Sequence, residues 1–240
     1  MRRLRSHPAG LSSSFLRSFL LGALLLAATA ARADAPADRL PLPRSEVLDL
    51  ARRAYDCAEA RGEIRRPLLV VIDYSLPSTQ RRLWVIDTRT GRVLRHELVA
   101  HGRESGLVLP ERFSNRPSSK QSSVGLYVTG DVYEGKHGPS LRLEGLEPGW
   151  NDAALARAIV VHGADYVSDA HVARFGRLGR SLGCPAVEPG VARDLVELVQ
   201  GGAGLFVYAP ERDWLEGSRY LSCGASVARH DAASKAALLR

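Results

Sequence analysis

The chain has 240 residues, 25% of them charged and 45% hydrophobic, with a formal net charge of +7. The excess is local: residues 1–33 hold five arginines and no acid, and without them 28 basic residues face 26 acidic ones, a net of +2. The remaining 207 residues therefore offer no basic face for nucleic acid and suit one domain with a sizeable core.

The leader reads in three parts. Arg2, Arg3, Arg5 and Arg17 precede the apolar run FLLGALLLAATA, and Ala31-Arg32-Ala33 gives an A-x-A cleavage pattern. That order is a secretory signal peptide, and its apolar run is shorter than the ~20 residues a membrane span needs. Residues 1–33 are read as the signal peptide, with the mature start near Asp34 and no stable membrane span after cleavage. The expected location is the periplasm or cell envelope.

Residues 34–44 form a proline-rich linker. Residues 45–66 hold an N-terminal helix that packs on the domain, with Ser45 as cap and Gly62 as stop. Val47, Leu50, Ala51, Ala54 and Ala58 share its apolar face, and Cys57 sits beside them. From Pro67 the pattern changes to short β-branched runs. LLVVIDYS is one, and Asp87 to Gly91 marks a hairpin between two more. SSVGLYVTGDVY, SLRLEGL, RAIVVHG and GLFVYAP continue the series, with a helix at VARDLVELVQGG. Many short strands with few helices argue for a mainly β sandwich or barrel rather than a doubly wound sheet. Residues 211–240 are a C-terminal extension in which Trp214, Tyr220 and Leu221 pack on the domain and the rest is partly disordered.

The stretch GRLGRSLGCPAV, residues 176–187, carries the chemistry and has two readings. Gly179 to Gly183 fits G-x-S-x-G, a serine elbow, which needs a strand before it, a helix after it and a later histidine. No continuous apolar run precedes Ser181, Pro185 and Pro189 follow it, and the only later histidine is His230 in the tail. The other reading makes Cys184 the nucleophile. His162, at the end of a buried strand, is then its base, and Gly163 leaves the flank open. Gly183 lets backbone N–H groups turn toward an oxyanion, Ser181 supplies a hydroxyl to the turn, and Arg177 and Arg180 favour thiolate. On these residues alone, a structural histidine and an inert cysteine remain open alternatives.

VVHGADY followed by GRLGRSLGCPAV resembles the YkuD-type L,D-transpeptidases, whose signature is H-G and then S-x-G-C about twenty residues on. The match is to the branch with S-x-G-C-P-A, and HGRESG, SSVGLYVTG and GKHGPSLRLEGLEPGWN are similar to it as well. The resemblance implies a mixed β-sandwich of the L,D-transpeptidase type over residues 67–210. It implies a cysteine that attacks the third residue of a peptidoglycan stem, releases D-Ala and passes the acyl group from a thioester to an amine. By that resemblance Cys184 is the nucleophile and His162 the base, with the Gly183 and Cys184 amides as oxyanion donors. Neither metal nor organic cofactor is implied, and there is no C-x-x-C or H-E-x-x-H. The partners are stem peptides and, as acceptor, a second stem or an envelope protein.

One departure stands out: many relatives carry arginine two residues after the cysteine, and this chain has Ala186. Arg180 or Arg177 is expected to supply that charge. His137, Tyr166 and His101 are candidates for lining the cleft, while FSNRPSSKQSS reads as a solvated connector. Two alternatives remain: a hydrolytic carboxypeptidase or amidase with the same Cys–His pair, and a non-catalytic wall-binding module. With Cys184 reduced for catalysis, Cys57 and Cys223 are the one possible internal disulfide, although nothing in the sequence brings them together.

Overall fold

The structure is a computed structural model and describes residues 40–223. The residues read as a signal peptide, most of those read as a proline-rich linker and the stretch from residue 224 lie outside the described residues.

Helix α1 spans Ser45–Ala60 and buries Val47, Leu48, Ala51, Ala54, Tyr55 and Ala58. Three- and four-residue spacing puts these side chains on one stripe. Arg44, not Ser45, holds the N-cap position, and no side chain caps the start. The helix is fixed by its apolar stripe instead, while the Arg44 guanidinium reaches forward to Asp73 Oδ2 at 3.2 Å. Gly62, at φ +74°, turns the chain away after the last turn, as its freedom at positive φ allows.

Eight strands follow among the described residues: β1 Leu68–Asp73, β2 Leu83–Asp87, β3 Val93–Glu97, β4 Gly125–Gly135, β5 Gly138–Gly145, β6 Val160–Gly163, β7 Ala186–Val187 and β8 Gly204–Tyr208. They form one mixed sheet in the order β3-β2-β1-β8-β4-β5-β6-β7. The sheet nearly closes, because the Ala100 N–H, just beyond β3, reaches the Ala186 carbonyl on β7 at 2.8 Å. This is the mainly β, mixed architecture expected from the sequence. The β2–β3 turn is also where expected, with Asp87 Oδ1 accepting the Arg89 and Thr90 amides and Gly91 at φ +70°.

Two apolar clusters lie on opposite faces of the central strands. Leu68, Val70 and Ile72 join Tyr127, Leu141, Leu205 and the inner face of α3, Pro189–Val199. Leu69 and Val71 join α1, Phe206 and the buried Trp214 and Tyr220. Burial on both faces explains why β1 reads as a continuous apolar run rather than an alternating one. Proline opens α3, where its missing N–H costs no hydrogen bond.

Two short helices have no counterpart in the sequence reading. Helix α2, Asp169–Phe175, buries no residue, so it shows no apolar stripe. It is built by its ends: the Ser168 hydroxyl accepts the His171 amide at 3.1 Å, and Gly176 closes it at φ +68°. Helix α4, Arg212–Gly217, buries one residue, Trp214.

Cys57 on α1 and Cys223 beyond α4 are joined in a disulfide, with Cα atoms 5.9 Å apart. The link closes a loop with a sequence separation of 166 residues. Such a closure stabilises by up to ~5 kcal/mol in the chain-entropy model.

Candidate active site

Strand β6 places His162. Its four residues are all buried, and its parallel pairing with β7 sets His162 beside Ala186. Two residues earlier on each chain, Val160 meets Cys184: the Val160 N–H points at Cys184 Sγ at 3.5 Å. The thiol donates to the Ala158 carbonyl at 3.6 Å. Ala158 sits at φ +53°, a left-handed conformation that costs a non-glycine residue on the order of 1 kcal/mol. The carbonyl of this strained residue faces the Cys184 sulfur.

The His162 Nδ1 lies 2.8 Å from the Gly163 carbonyl. A carbonyl only accepts, so Nδ1 carries the proton and Nε2 is left as a base. Burial lowers the His162 pKa below its ordinary value, opposed by the Gly163 bond and reinforced by His137 and Lys136. Burial also raises the Cys184 pKa, only partly offset by the Val160 amide and the Arg157 guanidinium. Both groups therefore rest uncharged near neutral pH. Among the described residues no hydrogen bond joins the two; they face one cavity of about 600 Å³. Catalytic hydrogen bonds often tighten only once substrate is bound.

The residues singled out from sequence fall into three groups. Tyr166, His137, Arg180 and Ser181 line the cavity. The His137 ring stacks on His162 with centroids 4.8 Å apart. Burial, followed by proximity to Cys184, raises the Tyr166 pKa to about 12. The Ser181 hydroxyl donates to the Cys184 carbonyl at 2.6 Å and accepts the Gly183 N–H at 3.1 Å. It is thereby committed to the turn.

A second group corrects the sequence reading. The Gly183 N–H, expected as an oxyanion donor, is given to Ser181 Oγ. Gly183 matters instead for its φ of +129° and for space: a Cβ there would lie 2.9 Å from the Gln121 carbonyl and 3.3 Å from Arg157 Nη2. Gly163 is no open flank. A Cβ on it would meet Ala192 Cβ at 3.1 Å on α3, and its carbonyl orients His162. Arg177 faces a different hollow, with His171 and Phe175. Arg180 spends Nη1 on the Arg103 and Gly106 carbonyls at 2.9 and 3.0 Å. His101 is fully buried away from the cavity. Its Nδ1 accepts from Arg82 at 2.8 Å, and burial followed by the Arg82 charge lowers its pKa to about 3.

The third group was missed. Arg157 lines the cavity and is the cation that acts on the Cys184 thiol, a part assigned from sequence to Arg177 and Arg180. Four hydrogen bonds fix it, to the Ser114 carbonyl (2.7 Å), Ser123 Oγ (2.6 Å), Ser119 Oγ (3.1 Å) and the Gln121 carbonyl (2.6 Å). The serine-rich segment is thus a bracket around a guanidinium rather than a solvated connector. The available signal was a lone arginine five residues before His162, at the mouth of an apolar strand.

A family model described as the L,D-transpeptidase catalytic domain matches residues 42–208. The chain belongs to that family. An L,D-transpeptidase from Mycobacterium smegmatis is similar at 17% identity and a TM-score of 0.37, over 60% of this chain and 59% of that one. L,D-transpeptidase 3 from Mycobacterium tuberculosis, solved with a faropenem-derived adduct, is similar at 15% identity and a TM-score of 0.39, over 60% of each chain. This chain thus spans less than two thirds of the length of those solved relatives. No curated protein matches the sequence. The family is one of the cell envelope and acts on peptidoglycan stem peptides. No helix among the described residues is long and apolar enough to cross a membrane.

Proposed function

We propose that the protein is an exported, cysteine-dependent L,D-transpeptidase that works on peptidoglycan stem peptides through a thioester. One observation carries the reading: Cys184, two residues before β7, and a His162 on the neighbouring β6 with an unprotonated Nε2 face the same cavity.

As Sγ of Cys184 attacks the carbonyl carbon of the third stem residue, His162 Nε2 takes the thiol proton. The Cys184 amide and the Arg157 charge face the oxygen that becomes negative. The C–N bond to the terminal D-Ala breaks, its nitrogen takes the proton from His162, and a thioester remains. An acceptor amine then attacks the thioester and gives its proton to His162, which returns it to the departing sulfur. A resting pair without charge suits this sequence, because the proton moves during attack rather than before it.

Incubation of the mature protein with a disaccharide-tetrapeptide, followed by mass spectrometry, tests the reading. Released D-Ala with a cross-linked dimer is expected. A shortened monomer alone would make the enzyme a hydrolase, and an unchanged substrate would overturn the proposal.

A further inference from the structure

A second cavity has a volume of about 470 Å³. Ser114 lines it, and the Ser114 carbonyl holds Arg157, which lines the catalytic cavity. One hydrogen bond thus links a wall of each cavity. The second cavity is bordered by Trp150, Phe113, Arg116 and Glu211.

Trp150 differs from the other two tryptophans. Trp84 is buried and gives its indole N–H to the Pro41 carbonyl at 2.9 Å. Trp214 is buried and gives its own to Glu147 Oε2 at 3.1 Å. Trp150 is half-buried, and its N–H has no partner among the described residues. The guanidinium of Arg116 and the carboxylate of Glu211 are equally without side-chain partners there. The wall itself is stiff: Asp152 Oδ1 accepts from Asn115 Nδ2 and from the Gly149 N–H, both at 2.7 Å. A preformed hollow with one aromatic surface and a few convergent, unengaged polar groups is the usual form of a small-ligand site.

We propose that this cavity binds a pyranose ring of the glycan strand that carries the stem peptide, with Trp150 as the stacking surface. The inference rests on the proposed function. A sugar offers apolar C–H faces to an indole and hydroxyls to Arg116 and Glu211, and an amphipathic tryptophan suits both demands.

Calorimetric titration of the mature chain with a stem-free N-acetylglucosaminyl-N-acetylmuramic acid disaccharide tests it. Saturable binding is expected, weakened about tenfold or more in Trp150→Ala and about threefold in the exposed variant Arg116→Ala, and unchanged in Cys184→Ala. Should Trp150→Ala fold poorly, Trp150→Phe and Arg116→Ala still report. On substrates, Trp150→Ala should raise KM for the disaccharide-tetrapeptide and leave the free tetrapeptide unaffected. Absence of saturable binding, or equal binding by all folded variants, would overturn the subsite. If an acyl-enzyme forms on the tetrapeptide while no sugar binds, the transpeptidase reading stands alone; if sugar binds and no acyl-enzyme forms, only the subsite survives.

Discussion

Two regions of the molecule are built from different materials. Toward α1 and α4 the packing is apolar, with Trp214, Tyr220 and Phe206 fully buried and the Cys57–Cys223 link closing the layer. Toward the edge formed by β6 and β7 the protein buries cations instead. Arg82 is fully buried and bonds to the carbonyls of Leu76 and Val99 and to His101, with no carboxylate in the set. Arg157 is held by carbonyls and hydroxyls in the same way. The apolar side supplies stability that does not depend on charge. Of the two arginines, Arg157 lines the cavity, where its charge is available to whatever becomes negative there.

Removing the base should produce the largest effect. His162→Ala is expected to slow acylation by about 10²–10⁴-fold, read as the rate of acyl-enzyme formation. The pH profile sharpens the point. Burial lowers the His162 pKa, so the acid limb of activity should fall on the acid side of 6.5. A limb at or above 6.5 would contradict a buried neutral imidazole.

On the other side, opening the disulfide should act on stability alone. Cys57→Ser with Cys223→Ser is expected to cost about 2–5 kcal/mol, read as a lower denaturant midpoint. Turnover at low temperature should be unchanged, since neither residue lines the catalytic cavity. A loss of turnover in a folded double variant would show that the two sides are coupled.

His101 extends the contrast to acid. Its folded pKa of about 3 lies below the ordinary 6.5, so the unfolded chain binds a proton first as pH falls. Stability present above pH 6.5 is therefore lost progressively between 6.5 and about 3. His101→Gln should lower overall stability yet show a shallower fall in denaturant midpoint between pH 7 and pH 5. An equal fall in both proteins would remove His101 from the account.

Arg157 should give a smaller and more specific effect. Arg157→Gln removes a charge that lowers the Cys184 pKa, so the midpoint of thiol alkylation against pH should move up. Arg157→Lys keeps the charge and should restore the midpoint while losing part of the bracket around residues 114–123. An unmoved midpoint in Arg157→Gln would leave Arg157 a purely structural brace.

The same contrast explains what the sequence made legible. The α1 stripe, the Asp87–Gly91 turn and the apolar runs of β1, β6 and β8 are local signals, and each marks a real element. Cys184 and His162 were singled out through the resemblance to the H-G and S-x-G-C signature, and the β6–β7 pairing sets the segments that carry them side by side. Arg157 was not readable, because nothing in its local sequence distinguishes it from any arginine flanking a strand. Its partners at 114, 119, 121 and 123 are joined to it only by the fold. Gly163 and His101 misled for the same reason: each reads as open or functional in its motif, and each is closed by an element distant in sequence. Helix α2 was silent because it buries nothing.

The central claim is that the Cys184 sulfur attacks, while Ser181 only holds the turn. Intact-mass measurement of the acyl-enzyme, acid-quenched during incubation with a disaccharide-tetrapeptide, tests it directly. A single covalent adduct is expected on the native chain, none on Cys184→Ala, and a slower but complete adduct on Ser181→Ala. An adduct that persists in Cys184→Ala and vanishes in Ser181→Ala would contradict the assignment and return the serine to the reaction.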